Sequence, residues 1–182
     1  MRDCVLWMPS LTKDPIINVI HGGIKRPITL LLENHCYPAT VILIYSGMDT
    51  MASLGMPETQ TEVTRHDFIR WAQQYIRFPC PEQLTGLDLY GARCSVLHTH
   101  STSSKLSREG KCRMIGYANH IVPEVQYEPN VSKDLVMLSI RGLAEAFFTG
   151  VDSFLVDLFA NKIRAKLAEQ RFTQILHTIP TP

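Results

Sequence analysis

The sequence predicts a mainly α-helical domain, a bundle of about four main helices with a small β-hairpin before the last. Apolar residues recur at helical spacing in four long stretches. Thr-x-x-Asp pairs open two of these stretches, and Gly or Pro follows where the periodicity stops. The 182 residues, 45% hydrophobic and 19% charged, suffice for one core without disulfides or metal.

Residues 1–36 are set apart as an N-terminal extension. Pro9, Pro15 and Pro27 interrupt them, and His21-Gly22-Gly23 reads as a turn. Thr12-Lys13-Asp14-Pro15 is a candidate helix start and Ile28 to Cys36 a further helical piece. The helical domain proper is 37–182. Its first helix, Ala39 to Leu54, buries Val41, Ile44, Tyr45, Met48, Met51 and Ala52, and Gly55 and Pro57 stop it. Thr64 to Phe78 follows, with Thr64 and Asp67 as a capping box and Phe68, Trp71, Ala72 and Tyr75 as a core stripe. Thr85 to Leu97 is opened by Thr85 and Asp88, with Leu87, Tyr90, Gly91, Cys94 and Leu97 as its apolar stripe. Arg113 to Val122 and Leu135 to Arg141 read as the strands of the hairpin. A last helix from Gly142 to about Phe172 buries Leu143, Phe147, Gly150, Val151, Phe154 and Leu158.

Net charge is +1, so no global polycation points to nucleic acid. Positive charge is locally dense, with Arg93, Lys105, Arg108, Lys111 and Arg113 set against Glu109 alone, and Lys162, Arg164, Lys166 and Arg171 against Glu169. The five cysteines are widely spaced without a C-x-x-C, which suits a reducing cytoplasm rather than a disulfide framework. Ala39 to Tyr45 is the most apolar run and is too short to span a bilayer. The expected protein is cytoplasmic, with no membrane partner.

Chemistry concentrates at the end of the third strong helix. Arg93 is a planar donor fork suited to phosphate. His98 brings an imidazole, the side-chain type suited to moving a proton, and His100 lies two residues on. Arg93 and His98 sit about 140° and about 7.5 Å apart on an ideal helix, so one chain does not present both on one face.

Arg93-Cys94-Ser95-Val96-Leu97-His98 matches R-x4-6-H and resembles the signature of HEPN domains, an all-α superfamily rich in RNases. Arg113 to His120 and Arg171 to His177 match the string too, but only Arg93 and His98 share a capped amphipathic helix. The resemblance covers residues 39 to 100 well and the remainder in outline. It implies an endoribonuclease of the toxin or phage-defence kind that needs no metal or cofactor, works as a homodimer and leaves a 2′,3′-cyclic phosphate. Arg93 would bind the scissile phosphate and His98 would transfer the proton, with His100 as a further catalytic candidate. Lys105, Arg108, Lys111 and Arg113 would bind neighbouring RNA phosphates. An antitoxin or other partner protein is also implied. One position departs from the family: catalytic members place Asn, Asp or His directly after the arginine, and here it is Cys94.

Other readings of the same residues stand beside this one. Arg93 is also explained as the partner of a carboxylate such as Asp49 or Asp88, and His98 as a cation favoured at a helix C-terminus. His98 and His100 with Cys94 or Cys112 would be a minimal metal set. A non-catalytic HEPN-like bundle that binds a protein or nucleic acid is the alternative function.

Overall fold

A computed structural model of the chain describes residues 17–80 and 83–175, which are mainly helical. The chain enters as a π-helix, Ile17–Lys25, that runs directly into α1, Arg26–Glu33. The turn expected at Gly22-Gly23 is therefore absent. Ile20, Ile24 and Ile28 recur every fourth residue and are buried in the same core as the rest of the fold. Their burial, at about 1.5–3 kcal/mol per side chain, exceeds the helix penalty of about 1 kcal/mol for each glycine. The helix start expected at Thr12 lies outside the described residues.

The central helix α2, Tyr37–Leu54, carries Pro38 in its first turn and stops at Gly55. All six side chains assigned to its core face are buried. Helix α3, Arg65–Tyr75, opens with the expected capping box, and Trp71 packs edge-on against Phe147 and Phe154. Helix α4, Gly86–Thr99, opens with the second capping box, and the single turn α5, Lys105–Arg108, follows. The buried face of α4 corrects the sequence expectation. It consists of Asp88, Leu89, Gly91, Ala92, Ser95 and Val96, whereas Leu87, Tyr90, Cys94 and Leu97 are half-buried. Two polar residues on the inner face misled the hydrophobic pattern, and both are satisfied there. Ser95 donates to the Ala92 carbonyl at 2.9 Å, and Asp88 accepts from Thr85 and Arg113.

The β-hairpin is also corrected. Strands β1, Met114–Ala118, β2, Val125–Gln126, and β3, Leu135–Ser139, form a sheet of order β1-β3-β2. β1 and β3 are parallel, and β2 lies antiparallel on the other edge of β3. The chain between β1 and β3 offers no two-residue turn. It is long enough for the dozen or so residues that a parallel crossover needs, and it lays down β2 on the way. Leu and Met are tolerated in β3 because it is the central strand, with Val136 and Leu138 fully buried.

The expected helix from Gly142 to Phe172 is two helices. Ser139 caps α6, Ile140–Phe159, through a bond from the Gly142 N–H. Asn161 then accepts from the N–H groups of Ile163 and Arg164 and starts α7, Lys162–Phe172. The six core residues assigned to this stretch are all buried. Arg171 pins α7 to the end of α2, donating to the carbonyls of Ser53, Leu54, Met56, Pro57 and Gln60.

Gly150 marks the tightest contact between α3 and α6. A Cβ there would stand 2.6 Å from the Tyr75 carbonyl oxygen. Backbone cannot yield as a side-chain tip can, so Gly150→Ala is expected to destabilise by about 1–3 kcal/mol despite alanine's better helix propensity. Urea unfolding checks this, and a neutral or stabilised variant would contradict the close approach.

The two capping carboxylates also set an acid limit. Burial pushes Asp67 up, but bonds from Thr64 and Gln60 and the Arg70 charge outweigh it and hold the group below its ordinary range. Burial likewise raises Asp88, and bonds from Arg113 and Thr85 more than reverse it. An unfolded aspartate titrates near about 3.9. The stability these groups contribute is thus fully present above that pH and is lost as pH falls through their lower folded values. Denaturant midpoints measured from pH 6 downward should fall below about pH 4, less steeply in Asp67→Asn. A midpoint unchanged down to pH 2 would contradict this.

Candidate active site

Helices α2 and α4 pack together and carry Asp49 and Arg93 to their shared edge. Arg93 Nε lies 2.8 Å and Nη2 2.7 Å from Asp49 Oδ2. Both side chains are 24% exposed, so the pair is reachable from solvent yet sheltered enough to hold one geometry. The guanidinium spends two donors on one carboxylate oxygen. Among the described residues, no second carboxylate pairs with the guanidinium.

His98 occupies the last turn of α4, where a cation is favoured by the helix dipole. It is exposed. Burial pushes the Asp49 carboxyl above its ordinary value, against the pull of Arg93 and a smaller pull from His98. The Asp49 contribution to stability has the opposite sign to that of Asp88: it is greatest at low pH and is lost as pH rises through the raised value. Tyr90 and Cys94 flank the guanidinium. Burial and the Cys94 thiol push the Tyr90 phenol up, and the Arg65 guanidinium lies 5.5 Å from the Tyr90 ring centroid.

His100 is placed apart from this group. It ends α4 in the left-handed conformation, φ 50° and ψ 33°, and donates its N–H to the Val96 carbonyl. It is exposed at the rim of a cavity between the start of α2, the end of α4 and the sheet.

The expected phosphate contacts separate into two kinds. Lys105 is 83% exposed on α5, Arg108 donates to the Ser103 carbonyl, and Lys111 pairs with Glu109 at 2.8 Å. Arg113 instead turns inward. Its backbone N–H donates to Asp88 Oδ1 at 2.8 Å, its Nη2 donates to Asp88 Oδ2 at 2.6 Å, and it lies 4.3 Å from the Tyr127 ring centroid.

The chain matches no known family model, and neither a curated protein nor a solved structure is similar to it. The site is therefore read from its own chemistry. Among the described residues no three His, Cys, Asp or Glu side chains gather as a metal site, which leaves His98 and His100 without a third ligand. Cys36, Cys80, Cys94 and Cys112 are free thiols. No helix among the described residues is long and apolar enough to cross a membrane.

Sequence reasoning named Asp49 only as one of two carboxylates able to pair with Arg93. The usable signal was the apolar frame of α2: with Tyr45, Met48 and Ala52 on the core face, Asp49 falls at its margin. The cavity beside His100 had no signal in the sequence, because its walls come from α2, α4, β1 and α6, which are distant in the chain.

Proposed function

We propose that the protein is a metal-independent RNA endonuclease of HEPN type, with Asp49, Arg93 and His98 at its centre. One observation carries this reading: Asp49 holds a sheltered guanidinium at the edge shared by α2 and α4, and the exposed His98 sits in the last turn of the same helix α4. Arg93 binds the scissile phosphate through the protons that Asp49 leaves free, and Asp49 holds the fork in place. The ribose 2′-oxygen attacks phosphorus as its proton leaves to a base. The P–O5′ bond breaks, O5′ takes a proton from an acid, and the products are a 2′,3′-cyclic phosphate and a 5′-hydroxyl.

That reaction needs one base and one acid. One chain supplies His98, while His100 stands at the rim of the cavity between α2 and the sheet. A two-fold homodimer with α4 near its axis supplies a second His98, which supports the dimer. Lys105, Arg108 and Lys111 lie on the turn that follows α4 and add salt-sensitive phosphate binding.

The Asp49–Arg93 ion pair also favours a second reading, a non-catalytic HEPN-like bundle in which this pair only ties α2 to α4. The two readings separate on single-stranded RNA in EDTA near neutral pH. Cleavage that His98→Ala reduces by about 10²–10⁴-fold supports the nuclease. RNA left intact by the purified dimer, or equally cleaved by the variant, favours the bundle. Asp49→Asn is expected to lower cleavage by about tenfold, since the carboxylate positions Arg93 and does not exchange protons with RNA.

A further inference from the structure

The cavity beside His100 has a volume of about 390 Å³, within the range of small-ligand pockets. Its floor is aliphatic, formed by Val41, Ile42, Val96 and Ile140, and Tyr37 and Tyr117 supply aromatic walls. Both phenol hydroxyls are already engaged. Tyr37 bonds His35 Nδ1 at 2.9 Å, and Tyr117 bonds the buried Tyr45 hydroxyl at 2.7 Å. What the two tyrosines offer a guest is therefore ring carbon.

The rim is different. His100, Ser101, Thr102 and Asn119 stand around the mouth. The Asn119 side-chain oxygen accepts from the His120 N–H, which leaves its amide free to donate. A glycine would take the left-handed position of His100 without strain, and the chain instead sets an imidazole there. An apolar cavity with two tyrosine rings in its walls and polar groups among its lining fits a planar heteroaromatic ring. An alkyl chain would leave those polar groups unused and desolvated.

The position relative to the proposed active site narrows the class. Ile42 and Asp49 lie two turns apart on one face of α2, about 10 Å along its axis. His98 and His100 are two residues apart at the end of α4. The Ile42 wall of the cavity thus shares the face of α2 that carries Asp49, and its rim begins two residues beyond His98. We propose that it is a nucleobase subsite, holding a base of the RNA strand whose phosphate lies at Arg93. This rests on the nuclease reading for the identity of the strand, but the base pocket is tested without it.

The probes are the four free nucleosides and ribose, titrated into the full chain by ligand-observed NMR or calorimetry. At least one nucleoside is expected to bind and ribose is not. Ile42→Trp, which fills the cavity from a half-buried position, should weaken that nucleoside about tenfold or more. Asn119→Ala, at an exposed position that leaves the core untouched, should weaken it and narrow the preference among bases. Nucleosides that bind no better than ribose, or equally to both variants, overturn the proposal. So does a medium-chain fatty acid that binds where no nucleoside does. Since the probes carry no phosphate, nucleoside binding without RNA cleavage supports the pocket and overturns the nuclease. Cleavage without nucleoside binding does the reverse.

Discussion

Asp88→Ala is expected to cost about 3–5 kcal/mol of stability, the range for breaking a buried ion pair by removing one partner. The Asp88 carboxylate is 4% exposed and accepts from the Thr85 N–H and hydroxyl and from the Arg113 N–H and guanidinium. Its loss opens the capping box of α4 and leaves the Arg113 charge, only 17% exposed, without a carboxylate. For a chain of this size each kcal/mol moves Tm by about 2–4 °C, so a fall of about 10 °C follows. The double variant Asp88→Ala/Arg113→Met should recover part of it, because the stranded charge is then gone. A loss under about 1 kcal/mol, or no recovery in the double variant, would show that solvent reaches the pair.

On the proposed nuclease reading, Arg93→Ala is expected to lower RNA cleavage by about 10²–10³-fold, the effect of removing a donor that meets negative charge developing in the transition state. Arg93→Lys should rescue little. A single ammonium cannot reproduce two bonds to Asp49 Oδ2 and still present a donor to phosphate. Stability is a control in both variants, since removing Arg93 strands the Asp49 carboxylate at a half-buried site. Asp49 is already pushed toward its neutral form by burial, so it can take up a proton rather than remain charged, and the fold should survive. Cleavage retained within tenfold in Arg93→Ala would remove Arg93 from the site.

The helices and their caps were legible because the signals are local. Thr64 with Asp67 and Thr85 with Asp88 fix two helix starts within four residues, and both boxes form. The core face of α2 was equally plain, since nearly every inward position is apolar. The signals that failed needed long-range partners. Asp88 and Ser95 look polar in sequence and are buried because Arg113 and a helix carbonyl satisfy them. β1 and β3 looked like a hairpin because nothing local reports whether two strands run parallel. Asn161 gives no local sign of a helix break, because Ala160 and Lys162 on either side are good helix formers. At the site, Arg93 and His98 were legible as a motif, whereas Asp49 became distinct from Asp88 as the Arg93 partner only once α2 and α4 were packed. Arg113 shows the converse: its charge in a basic run suggested phosphate, and its geometry points it at Asp88.

The most direct measurement is the chemistry of the ends produced from a single-stranded RNA incubated with the purified protein in EDTA. Mass spectrometry should find 2′,3′-cyclic phosphate and 5′-hydroxyl termini, and none from the same RNA bearing 2′-O-methyl groups or from Arg93→Ala. Fragments with 3′-hydroxyl and 5′-phosphate ends, cleavage of the 2′-O-methyl RNA, or cleavage that stops in EDTA would contradict the proposed catalysis by Arg93 and His98.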